Sequence, residues 1–211
     1  MDAMRVTTDH RMLIQPTRRI LVGGLMACFV PPYVSAAEPA GAVESSRGEC
    51  YAETAATRRP LSPAAEIFIG DAVSTGAQSA LSLQLGTATN VKIGAEARLR
   101  IDRFLVNAGG VLILENGGML YDHDPLGGPN ETTVRSPFGL VAVRGTRFFA
   151  GPSNGVFGVF VERGAVTVVG IRIALLVTSG LGTNIARPGA EPTSPSAWSA
   201  ARIASAMASV N

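Results

Sequence analysis

Residues 135–170 read RSPFGLVAVRGTRFFAGPSNGVFGVFVERGAVTVVG, and this stretch decides the fold class. β-Branched and aromatic residues fall in short runs bounded by glycine, which argues strand rather than helix. Val141 and Val143 alternate with Ala142 and Arg144, and Phe148 follows a break at Gly145-Thr146. Gly151-Pro152 together with Ser153-Asn154-Gly155 forms a reverse-turn signal between two β-rich runs. Beyond it, VFGVFVE and AVTVVG are joined by a tight Arg163-Gly164 turn. No catalytic signature lies among these runs.

The same punctuation continues outward. EIFIG leads into a Gly70-Asp71 turn; Leu81, Leu83 and Leu85 then alternate with Ser82 and Gln84 as a half-buried strand does. Val91 and Ile93 repeat the pattern around Lys92, and Ala97, Leu99 and Ile101 around Arg98 and Arg100. Glycines at 76, 86, 94, 109–110 and 117–118 supply the turns. This rhythm predicts an all-β domain over 64–186, either a short-stranded two-sheet sandwich or roll or a short β-solenoid. A strand at IRIALLV and an extended piece through Ile185 complete it. Over 187–211, Pro188 and Pro192 mark a linker. Ser194 as N-cap and Pro195 at the first helical position then open a C-terminal α-helix to about Ala208. Ile203, Met207 and Val210 share one face of it and are expected to dock on a sheet.

Upstream, Arg18-Arg19, the apolar run ILVGGLMACFVPPYV and Ser35-Ala36-Ala37 have the n-, h- and cleavage regions of a secretory signal peptide over residues 1–36. A lipid-modified Cys28 and a retained anchor are the alternatives; Pro31-Pro32 interrupts the run as a membrane span. Residues 37–63, rich in Ala, Glu, Ser and Pro, are expected to form a linker or partly ordered arm, with a possible strand at Glu49–Ala52. Removal of the leader leaves Cys50 alone, a free thiol without His or Asp neighbours. The net charge of +2 comes from four arginines against two aspartates in the leader, so the rest of the chain is neutral. A neutral domain lacks the basic footprint that nucleic-acid binding requires.

Three pieces of this sequence, taken in order, resemble the FecR domain, a periplasmic β module of bacterial cell-surface signalling. They are Ser136-Pro137-Phe138-Gly139, Gly145-Thr146-Arg147-Phe148 and Glu162-Arg163-Gly164-Ala165-Val166-Thr167-Val168. Gly70-Asp71-Ala72-Val73-Ser74-Thr75-Gly76, followed by Ser79–Leu83, resembles the opening of the same family, so the likeness runs from about Glu66 to Gly170. The motif positions are thus Gly70, Asp71, Pro137, Gly139, Gly145, Thr146, Phe148 and Gly164. In that family the module relays engagement of an outer-membrane transporter to a cytoplasmic sigma factor. Here a leader stands where the family's regulators carry a cytoplasmic region. The resemblance therefore implies a non-enzymatic periplasmic protein-interaction or sensory module, with an envelope protein as partner, no cofactor, and no transmembrane span in the mature form. A β domain binding an envelope glycan or small ligand is the alternative.

Side chains with chemical potential are few. Asp122-His123-Asp124 could hold a divalent cation, but neighbouring loop residues converge poorly on one ion, and a solvated loop is the expectation. Asp71 and Asp102 could be a carboxylate pair, yet Asp71 in its turn is explained by backbone hydrogen bonds. Asn130-Glu131-Thr132 fits a glycosylation sequon, and at strand spacing some of Phe148, Phe149, Phe157 and Phe160 point into the core rather than forming an aromatic cofactor box. Gly145 is read as a position of special backbone geometry or close strand approach. Arg135, Arg144, Arg147 and Arg163 are the candidate partner-binding residues.

Overall fold

In the computed structural model of the chain, the described residues are 38–54, 57–105, 109–128 and 131–211. The expected leader, Cys28, the cleavage region at Ala37 and the sequon's Asn130 lie outside them. The first strands are β1 (Pro39–Arg47), β2 (Cys50–Glu53), β3 (Arg58–Pro60), β4 (Glu66–Phe68), β5 (Ala72–Thr75) and β6 (Ala80–Leu85). Next come β7 (Thr89–Ile93), β8 (Arg98–Leu105), β9 (Gly109–Asn116), β10 (Met119–His123), β11 (Glu131–Ser136) and β12 (Gly139–Arg144). They are followed by β13 (Arg147–Ser153), β14 (Val156–Arg163), β15 (Ala165–Val169), β16 (Ala174–Thr178), β17 (Leu181–Ile185), β18 (Ser196–Ala197) and helix α1 (Ala200–Ala208).

Two nine-stranded sheets result. The first runs β18-β17-β14-β13-β10-β7-β6-β1-β4 and the second β16-β15-β12-β11-β9-β8-β5-β2-β3. Neighbours are antiparallel, save for the parallel pair β9 and β11. The chain deals its strands to the sheets alternately: β6–β7 to the first, β8–β9 to the second, β10 to the first, β11–β12 to the second. The architecture is the expected two-sheet sandwich, and its strands advance along the sequence as those of a solenoid do.

Alternation in the sequence becomes burial between the sheets. Leu83, Val91, Tyr121 and Phe148 of the first sheet and Leu99, Leu112, Val134, Val141 and Val166 of the second belong to one buried cluster. Each such side chain contributes roughly 1.5–3 kcal/mol on leaving water. The Tyr121 hydroxyl donates to Thr132 Oγ1 at 2.9 Å, joining β10 to β11 across the core, and burial pushes the phenol pKa up.

Four local expectations are corrected. Residues 39–47 are strand β1 rather than a linker arm, with Val43 buried, while β2 over Cys50–Glu53 falls where a strand is expected within that arm and holds Cys50 at 3% exposure. The small, polar composition had hidden a strand that lies with one side against the core. The turn between β13 and β14 is Asn154-Gly155 alone, with φ of +53° and +77°, and Gly151-Pro152 continue the strand. Positive φ at both central residues suits a two-residue hairpin. At Arg163-Gly164 the chain crosses from the first sheet to the second instead of forming a hairpin within one. The helix starts at Ala200 with Ser199 as N-cap, whose side chain accepts from Arg202 N at 3.3 Å, while Ser196 and Ala197 form β18. Pairing of Leu181 with Ala197 and Gly182 with Ser196 draws those residues into the sheet.

The helix docks as its apolar face requires. Ala206 and Val210 are buried with Leu120, Phe149, Phe160 and Trp198, and Ile203 and Met207 pack on that cluster. This second cluster lies on the outer face of the first sheet, so β13 buries Phe148 toward the main core and Phe149 toward the helix.

Candidate interaction surface

The resemblance motifs mostly hold the fold. Gly145 has φ +61° with nothing within 4 Å of a would-be Cβ, so special backbone geometry, not close approach, explains it. Thr146 is fully buried and its carbonyl accepts from His123 N at 3.1 Å. A Cβ on Gly164 would stand 2.6 Å from Thr146 Cγ2. Phe148 is fully buried against Tyr121, with ring centroids 5.4 Å apart. Pro137 is exposed in the β11–β12 turn, where the Ser136 hydroxyl donates to Gly139 O at 3.2 Å. Gly70 N donates to Ile101 O at 2.7 Å and ties the β4–β5 turn to β8. Asp71 does accept from a backbone amide, Phe68 N at 2.9 Å, and also binds the Arg59 guanidinium, a partner that sequence separation concealed. Asp102 is exposed on β8, so burial separates its environment from that of Asp71.

The segment Asp122-His123-Asp124 is not a solvated loop. Asp122 and His123 end β10, and His123 is 1% exposed, with its ring nitrogens at 2.9 Å from Thr89 Oγ1 and 3.1 Å from Gly128 O. Asp124 caps the short 3-10 turn Pro125–Gly127 by accepting from Leu126 N at 2.9 Å. Strand pairing with both β7 and β13 draws this segment into the sheet.

The four candidate arginines fall into two pairs. Arg147 and Arg163 on the first sheet are engaged. Arg147 contacts Glu162 at 2.7 Å and Asp122 at 2.6 Å, and Arg163 contacts Asp122 at 2.8 Å and the His123 carbonyl at 2.8 Å. Hydrogen bonding to Glu162, followed by that to Asp122, pushes the Arg147 guanidinium pKa up. These two residues cross-brace β10, β13 and β14. Arg135 and Arg144 are on the second sheet, exposed, and without an ion pair to any described residue.

Their surroundings define a face. Odd positions of β11 and even positions of β12 point away from the core, and the register Thr133–Ala142–Thr167–Leu176 makes one row across β11, β12, β15 and β16. A shallow groove of about 390 Å³ follows this row, with Arg144 and Ala165 along its side. Arg135 stands opposite Leu140, on the far side of the row. The two outer faces thus differ. On the first, α1 and Trp198 cover Leu120, Phe149 and Phe160, and on the second the sheet from β9 to β16 carries no helix among the described residues. At the other end of the second sheet, Arg98 pairs with Glu53 at 2.6 Å and Glu115 at 2.9 Å, and Arg100 with Glu115 at 2.7 Å. Sequence pattern named the arginines but could not separate the paired from the unpaired, because the acids that neutralise them come from distant strands.

The geometry is that of a two-sheet β sandwich with a short C-terminal helix on one outer face. Residues 71–167 match the model of the FecR protein family, and the chain carries a FecR domain. Two crystal structures of a candidate anti-sigma factor from Parabacteroides distasonis ATCC 8503, at 1.65 and 2.50 Å resolution, share the fold. Each has a TM-score of 0.52 and 17% identity, over 63% of this chain and 62% of that one. No curated protein matches the chain. Among the described residues, no helix is long and apolar enough to cross a membrane.

Proposed function

We propose that the chain is a non-enzymatic periplasmic protein-interaction module of envelope signalling, and that its partner binds the outer face of the second sheet between β9 and β16. The observation that carries this reading is that Arg135 and Arg144 are exposed, with no ion pair among the described residues, on the sheet face whose groove is floored by Thr133, Ala142 and Thr167. Arginine is enriched at interfaces, and although Glu131 stands opposite Arg144 in the β11–β12 register, neither guanidinium forms an ion pair with a described residue, which leaves donors for a partner's carboxylates or carbonyls. The FecR domain, and the fold shared with a candidate anti-sigma factor, support a signalling-related module. The periplasmic placement rests on the leader expected over residues 1–36. Acids that could do proton chemistry, such as Asp122, Glu162, Glu115 and Glu53, are each held by an arginine, which suits bracing rather than catalysis.

The test uses the exported protein and an Arg135→Glu/Arg144→Glu variant as bait for envelope extract, with circular dichroism on both. The expected result is a folded variant that loses an envelope protein retained by the parent. A folded variant that keeps every partner excludes this face.

A second reading has its own observation. A polar groove of about 360 Å³ is lined by Gln84, Asn90, Asp122, Asp124 and Arg163, a set of amide, carboxylate and guanidinium groups suited to a hydroxyl-rich glycan. Calorimetric titration with envelope glycan fragments, on the parent and on Gln84→Ala, checks it: binding that the variant weakens supports a glycan site, and no heat from either removes it.

A further inference from the structure

Two sheets leave four edges, and an edge strand exposes unpaired amides and carbonyls that recruit another strand unless the protein blocks it. Three edges here are blocked. β3 carries Arg58, Arg59 and Pro60, β4 is three residues long and carries Glu66, and β18 has only two residues. The fourth, β16, is Ala174-Leu175-Leu176-Val177-Thr178, five residues with no charge, no proline and no register shift against β15. Its exposed apolar surface is unusual for a free edge: Leu176 is 63% exposed, and Ile171 and Ile173, just before the strand, are 72% and 41% exposed.

The register fixes which backbone groups are free. Gly170 N donates to Ile173 O and Ser179 N donates to Gly164 O, so these two pairs are hydrogen-bonded positions of the β15–β16 ladder. Hydrogen-bonded pairs recur every second residue in an antiparallel ladder, so Leu175 and Val177 also face β15. Ala174, Leu176 and Thr178 therefore turn their amides and carbonyls toward solvent. The free set has Leu176 at its centre.

We propose that β16 pairs antiparallel with β16 of a second copy of this chain, on a two-fold axis at Leu176, to form a continuous sheet through both molecules. A symmetric interface must match itself, residue i meeting j and j meeting i. Here Leu176 meets Leu176, and Ala174 meets Thr178. The nearest charged residue, Arg172, falls opposite Gly180 of the other copy. Arg172 is itself paired with Glu191 at 3.4 Å, and its opposite number Gly180 carries no charge. No like charges are opposed, and the mature sequence from Ala37 onward is neutral, so long-range repulsion does not resist association. A single short-strand contact lies at the low end of stable interface sizes, so the association should fall in the micromolar range.

The pairing is tested by sedimentation velocity on the full chain over roughly 1–100 μM, the range expected for a small interface. The parent should pass from monomer to dimer. Leu176→Lys and Leu176→Glu should each remain monomeric with an unchanged dichroism spectrum, because each opposes like charges at the axis. Their equimolar mixture should dimerise, since Lys then meets Glu. Leu176→Pro is a second probe: it deletes an amide that β15 does not use, a change tolerated on a free edge, and should also give a monomer. A parent that stays monomeric throughout, including one whose edge is capped only by a strand of another protein, overturns the proposal. So does a mixture that stays monomeric. Leu176 also ends the groove row, but sedimentation of the purified chain reads the β16 edge with no envelope partner present, whereas the Arg135/Arg144 pull-down reads the face, so the two proposals fail separately.

Discussion

Arg59, on edge strand β3, places its guanidinium on the carboxylate of Asp71, which is fully buried. The same Oδ2 accepts from Phe68 N at 2.9 Å, so one motif acid fastens the β4–β5 turn to the end of the second sheet. Removing one partner of a buried pair leaves an uncompensated charge, at a cost of about 3–5 kcal/mol. Arg59→Met should therefore lose that much stability in urea unfolding. Arg59→Met with Asp71→Leu should recover part of it, because the buried charge is gone. A single variant within 0.5 kcal/mol of the parent, on the order expected of an ordinary surface change, would show that solvent already screens this pair.

Leu83 is fully buried at the centre of β6, opposite Val43 of β1 and Val91 of β7. Leu83→Ala should cost about 2–5 kcal/mol through lost burial and the cavity left behind. A near-unchanged denaturant midpoint would contradict the inward assignment of this side chain.

Trp198, the single tryptophan, lies over glycines in the first sheet. A Cβ at Gly158 would stand 2.6 Å from its Cη2, and one at Gly182 would stand 2.3 Å from its Nε1. Gly158→Ala should push the indole off the sheet, loosen α1 and cost about 1–3 kcal/mol. The check is tryptophan fluorescence, which should shift to the red in the folded variant; an unshifted spectrum would mean the helix and sheet separate without displacing the ring.

Glu53 supplies a pH dependence whose sign is determined. Hydrogen bonding to Arg98 holds its carboxyl below the ordinary value of 4.5. A carboxylate with a depressed folded value stabilises fully above its unfolded value, and that contribution is lost as pH falls through the folded one. Stability should thus be level above pH 4.5 and decline below it. Glu53→Gln should flatten the acid decline when unfolding midpoints are measured across the range, and identical profiles would assign it to other acids.

How much of this was legible in the sequence depends on the distance over which each feature is decided. The alternation at Leu81/Leu83/Leu85 and Leu99/Ile101 showed the inner faces directly, because the side-chain period of a strand is two and the core sees every second residue. The helix face Ile203/Met207/Val210 was likewise readable from local spacing. Boundaries were less so. Ser194-Pro195 offered a plausible helix start, but pairing of β18 with β17 moved it to Ser199, a contact between residues 181–182 and 196–197.

By itself the sequence determined the class of fold, the two-fold periodicity of its core and the FecR-type motif order, all set by short-range sterics and burial. Tertiary structure alone decided the rest. It made β1 part of the sandwich, buried His123 between Thr89 and Gly128, and tied Arg147 and Arg163 to Asp122 while leaving Arg135 and Arg144 without an ion pair among the described residues. The physical reason is that charge pairing acts through space over a few ångströms. The partners it selects, such as Asp122 and Arg163, lie forty-one residues apart in the chain, and sheet register alone brings them to 2.8 Å.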